Sequence, residues 1–71
     1  MKEVFKNRLK ELRKDAGISQ EDLGKSLNLS KMAISHWESG HSEPCISQLV
    51  DLSCIFDVSI DYLVGKSDDL L

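Results

Sequence analysis

Residues 20–37, QEDLGKSLNLSKMAISHW, decide the fold. Leu23, Gly24, Leu27, Leu29, Ile34 and Trp37 are spaced so that two helices joined by a tight turn at Asn28 can pack at a steep angle. Gly24 has no side chain to obstruct the second helix, Asn28 tolerates a left-handed backbone, and Ile34 with Trp37 supplies the inward face. At about 100° per residue, Met32, Ser35, His36 and Ser39 fall opposite Ile34, with Lys31 at the edge of that face. The face carries no large apolar stripe, so it is available to a partner.

On either side of this stretch a local grammar recurs: an apolar residue, a serine, three residues, another apolar residue. It occurs as Ile18-Ser19 with Leu23, Leu29-Ser30 with Ile34, and Val58-Ser59 with Leu63. Each serine can cap a helix while the apolar pair staples the start, which predicts helices beginning near Gln20, Lys31 and Ile60. Asp22 stands where a capping box wants an acid. Upstream, Phe5, Leu9, Leu12 and Ala16 fit one face of a helix that Gly17 ends as a left-handed cap. Downstream, Ile46, Leu49, Leu52, Ser53 and Phe56 form one stripe after Pro44, capped by Cys45 or, as a substitute, by Ser47. With no alternating β-rich stretch, the expectation is an all-α five-helix bundle with a helix-turn-helix at helices 2 and 3. It occupies residues 1–65, and residues 66–71 form a tail that lacks a partner and frays.

The 71-residue length suits one small domain and excludes a large enzyme fold. The two cysteines, Cys45 and Cys54, are separated by roughly 13 Å of rise if they share a helix, too far for a disulfide. Free thiols point to a reducing cytoplasm. The chain has neither an apolar run of membrane-spanning length nor an N-terminal leader pattern. The net charge of −3 argues at first against nucleic acid, but the charge is unevenly distributed. Residues 1–41 hold eight Lys and Arg against six acids, whereas residues 42–71 hold Lys66 against six. An anion should therefore meet the first part, with the acidic part turned away.

Over nearly its whole length the sequence resembles the phage-repressor and Cro type of helix-turn-helix domain, the XRE family, with a lambda-repressor-like fold. The resemblance is carried by Arg8-Leu9-Lys10-Glu11-Leu12-Arg13, Ser19-Gln20-Glu21-Asp22-Leu23-Gly24 and Ile34-Ser35-His36-Trp37-Glu38-Ser39-Gly40. It resumes at Glu43-Pro44 and at Val58-Ser59-Ile60-Asp61-Tyr62-Leu63-Val64-Gly65. Asn28 replaces the usual Gly of the turn, Cys45 a frequent Ser, and Asp57 a common Gly. The resemblance implies a sequence-specific DNA-binding regulator, a repressor, whose third helix enters the major groove.

Chemistry and likeness together assign the contacts. Lys31 can donate to guanine, His36 can donate to or accept from a base edge, Met32 can meet a thymine methyl, and Ser35 is short enough for either kind of base. Gln20 can donate to a phosphate at a helix start, where backbone N–H groups point the same way, with Ser19 and Ser30 at the neighbouring starts. Ser39, His41 and Ser42 follow the third helix, where the family contacts backbone phosphate. Arg13 and Glu38 are expected to pair across the first and third helices. Read by spacing alone, Lys31, Ser35 and His36 form a solvated face; the whole-chain resemblance favours DNA.

His36, His41, Cys45 and Cys54 are metal-ligand types at poor spacing, and no nucleophilic constellation accompanies them, so no metal, cofactor, small-molecule ligand or enzymatic activity is expected. A weak homodimer is expected through Ile60, Tyr62, Val64, Leu70 and Leu71, with Leu63 as a further candidate, against the opposing charges of Asp57, Asp61, Asp68 and Asp69. For Tyr62 and Leu63 the favoured reading is instead that they close the protein's own core. An alternative from another class is a protein-interaction module on the same fold, such as a toxin-neutralising antitoxin.

Overall fold

The computed structural model describes residues 2–70, the side chain of Lys2 excepted; Leu71 lies outside the described residues. Five helices follow one another: α1 Lys2–Asp15, α2 Gln20–Ser26, α3 Lys31–Ser39, α4 Ile46–Phe56 and α5 Ile60–Val64. Among the described residues there is no strand, and no helix is long and apolar enough to cross a membrane.

Three helix starts obey the serine grammar. The Oγ atoms of Ser19, Ser30 and Ser59 accept from the N–H groups of Asp22, Ala33 and Tyr62 at 3.0, 3.3 and 3.0 Å. The apolar residues four positions on, Leu23, Ile34 and Leu63, are all fully buried, so each cap also fixes its helix to the core. Asp22 takes part only through its backbone N–H; among the described residues its carboxylate does not return a bond to Ser19, being a methylene shorter than the Glu of a capping box. At α4 the cap is Cys45, whose N–H donates to Gln48 Oε1 at 2.8 Å. Ser47 is not the cap, because it already lies within the helix, and its Oγ sits 3.2 Å from Cys45 Sγ. The Ser47 contact, reinforced by the Gln48 N–H, lowers the thiol's pKa.

Asn28 and Asp57 adopt left-handed conformations (φ 58° and 53°), ending α2 and α4 where the usual glycines are absent. Gly24 is required for a different reason: a Cβ there would lie 2.8 Å from the Leu29 carbonyl oxygen, so the turn backbone packs directly onto α2.

The core comprises Phe5 and Leu9 of α1, Leu23, Ile34 and Trp37 of the central pair, Leu49 and Leu52 of α4, Val58, and Leu63 of α5. Two expected members fall outside it. Ala16 is exposed because α1 stops at Asp15 and the chain reverses at Gly17 (φ 71°), leaving Ile18 half-buried instead. Ile46 is 78% exposed: it opens α4 on the solvent side, and Pro44 takes the buried place beside it.

The end of the described chain is tied to α1 and α5 by hydrogen bonds. Arg8 on α1 donates from Nη1 to the carbonyls of Tyr62 and Ser67 and from Nη2 to Asp68 Oδ1, while its guanidinium lies 4.1 Å from the Tyr62 ring centre. The N–H groups of Lys66 and Ser67 bond to the Asp61 carbonyl, and Ser59 N–H donates to Leu70 O at 2.6 Å. The expectation of a partnerless tail fails because the partner, Arg8, lies at the other end of the sequence. Placed at the last turn of α5, the Arg8 cation also faces the negative end of that helix's dipole.

Candidate nucleic-acid interface

Burial separates the two faces of α3. Ile34, Trp37 and Glu38 are buried, Ser35 and His36 half-buried, Lys31 and Ser39 exposed, and Met32 is 61% exposed. Base-contact candidates Lys31, Met32, Ser35 and His36 thus share the surface-accessible side of one helix, whose start is held by Ser30 and whose end is turned by Gly40 (φ 81°).

The helix starts converge. A shallow groove of about 460 Å³ is lined by Arg13, Ser19, Gln20, Glu21 and Lys31, joining the end of α1 to the first turns of α2 and α3. Because Ser19 and Ser30 accept the capping bonds, their O–H hydrogens remain available to donate to an anion. The Glu21 carboxylate lies 3.7 Å from Lys25 Nζ along α2, which offsets its charge beside the groove.

At the other end of α3, the His36 carbonyl accepts from Ser39 Oγ at 3.1 Å, His41 N at 2.9 Å and Ser42 N at 3.3 Å. The structure therefore gathers Ser39, His41 and Ser42 at one helix end, with the His36 and His41 rings 4.6 Å apart and tilted by 47°. The Ser39 O–H, unlike those of Ser19 and Ser30, is already engaged. Lys6 also reaches this end: its Cδ lies 3.3 Å from where a Cβ on Gly40 would stand. Sequence periodicity singled out neither Lys6 nor Arg8, since both belong to the polar positions of α1.

Behind the groove, Arg13 Nε donates to Glu38 Oε2 at 2.6 Å and Nη2 to Oε1 at 3.0 Å, while Nη1 donates to the Ile18 carbonyl at 2.9 Å. The hydrogen bond to Glu38 raises the Arg13 pKa, desolvation lowers it, and the carboxylate's charge raises it again. Gln20 Nε2 also donates to Glu38 Oε1, at 3.1 Å, so the amide is not the free donor that its place in the sequence suggests. No spacing rule on one helix reports a bond between residues on two.

Such a capped helix pair, with a buried inner face on its second helix and a polar outer one, defines a class of protein. The chain belongs to the helix-turn-helix family, whose model matches residues 9–63. It is 38% identical over 61 residues to the HTH-type transcriptional regulator ImmR of Bacillus subtilis (strain 168), covering 86% of this chain and 48% of that protein. Its fold is similar to that of the P22 c2 repressor protein, solved in complex with a synthetic operator, at a TM-score of 0.80 and 38% identity over 84% of this chain and 91% of that one. A transcriptional regulator from Listeria innocua superposes with a TM-score of 0.85 at 30% identity, covering 94% and 63% of the two chains. The chain spans between 29% and 59% of the length of the curated relatives it matches.

Proposed function

We propose that the chain is a sequence-specific DNA-binding transcriptional regulator, a repressor, acting with double-stranded DNA in the cytoplasm. The observation that carries this is the sidedness of α3: Ile34 and Trp37 anchor the helix in the core while Lys31, Met32, Ser35 and His36 occupy its accessible side. These four read base edges in the major groove. Ser19, Gln20 and Ser30 at the helix starts, Ser39 at the last position of α3, and His41 and Ser42 just past it contact the sugar-phosphate backbone. The P22 c2 repressor, a relative of similar fold, was solved in complex with a synthetic operator, which supports double-stranded DNA as the partner.

A weak homodimer completes the proposal. Leu63 is fully buried in its own protomer and leaves the interface, and Tyr62 and Val64 are half-buried against the core. Ile60 and Leu70 remain, 36% and 52% exposed, and the Ser59-to-Leu70 hydrogen bond brings them near one another. A two-fold pair would set two α3 helices about 34 Å apart, one turn of DNA.

The test is selection of bound duplexes from a random pool, followed by binding of the selected site. Lys31→Ala and His36→Ala should each lower preference for that site by about 1–3 kcal/mol. Recovery of no enriched sequence, or unchanged preference in both variants, would remove the assignment. Two copies per two-half-site duplex in sedimentation is the dimer's expected result, and one copy at saturation refutes it.

A further inference from the structure

On the DNA-binding reading above, on which this inference rests, we infer that Glu38 is a positioning residue for the phosphate contact of Gln20. Glu38 is 4% exposed and cannot itself meet DNA. Its carboxylate nevertheless organises the groove. Oε2 accepts from Arg13 Nε at 2.6 Å, and Oε1 is shared between Arg13 Nη2 at 3.0 Å and Gln20 Nε2 at 3.1 Å.

Three consequences follow from that sharing. An amide beside a carboxylate must present its NH2 end, because its carbonyl oxygen would be repelled, so the two ends of Gln20 cannot exchange. One Nε2–H is engaged inside, which leaves the second as the single side-chain donor of Gln20 on the half-buried groove wall. The anchor is itself immobile, since Arg13 holds both carboxylate oxygens and, through Nη1, the Ile18 carbonyl just before the Ser19 cap. The ion pair thus fixes the start of α2 and the direction of its Gln20 amide together. A donor already ordered before the encounter loses less rotamer entropy on meeting a phosphate.

The test uses two readouts on the full chain. In the free protein, ¹⁵N relaxation of the Gln20 side-chain amide should report restricted motion in wild type and faster averaging in Glu38→Gln, whose single carbonyl oxygen cannot serve Arg13 and Gln20 as the carboxylate does. Glu38→Leu, which keeps the bulk and removes every acceptor, serves as a second variant should the first unfold. Affinity for a random-sequence duplex of about 20 base pairs at low salt should fall about three- to tenfold on Glu38→Gln, the equivalent of one ordinary net hydrogen bond. In a Gln20→Ala background the same substitution should change affinity little. A Gln20 amide as mobile in wild type as in the variants would overturn the inference, as would equal losses in both backgrounds, because Glu38 would then act through the fold alone. If no form of the protein binds any duplex, the DNA-binding reading falls, and the relaxation result alone decides whether Glu38 orients Gln20.

Discussion

Gly24 and Glu38 show how single positions govern this surface. A methyl group at position 24 would stand 2.8 Å from the Leu29 carbonyl oxygen and 3.1 Å from that of Ser30, both backbone atoms that cannot swing aside. Gly24→Ala should therefore cost about 1–3 kcal/mol by overpacking, seen as a lower urea midpoint at unchanged slope. Glu38→Ala should cost more, about 3–5 kcal/mol, because it leaves the largely buried Arg13 guanidinium without its partner. A double-mutant cycle with Arg13→Ala that returned no coupling would contradict the pair's energetic role. Cys45 offers a chemical readout: the Ser47 hydroxyl holds its thiol below the ordinary range, so more thiolate is present at a given pH. Ser47→Ala should raise that pKa and slow alkylation of Cys45 near neutral pH, measured by peptide mapping after timed iodoacetamide exposure.

Among the elements, helix starts are the most local feature of the chain and the most legible. The Ser19, Ser30 and Ser59 caps each involve atoms three residues apart, and their spacing fixes α2, α3 and α5 to the residue. Ser30→Ala should cost about 1 kcal/mol of stability and loosen the first turn of α3, detected as faster amide exchange at Ala33. At α4 the sulfur of Cys45 faces a donor that an oxygen would serve better, so Cys45→Ser should raise thermal stability; a fall would show that the thiol's own packing matters more. The same local rules misjudged Ala16 and Ile46. Periodicity reports which positions share a face, but at a helix end it cannot report whether another element is present to cover that face.

Over the whole molecule, the chain's two ends are joined by Arg8, whose partners Tyr62, Ser67 and Asp68 lie 54 to 60 residues away in sequence. Arg8→Ala should lower stability by about 2 kcal/mol and speed exchange of the Ser59 amide, which bonds to Leu70 in the tethered tail. Asp68→Asn should do little, since that carboxylate is 98% exposed. The amino-acid sequence by itself determined the five helices, the left-handed turns at Asn28 and Asp57, most of the core and the accessible side of α3. Caps, staples and helical periodicity act within about four residues, so neighbouring side chains suffice to specify them. Only the tertiary structure decided that Gln20 rests on Glu38, that Lys6 reaches the end of α3 and that the tail has a partner. Each of these depends on where separate helices come to lie, and long polar side chains meet across helices at distances no local spacing encodes.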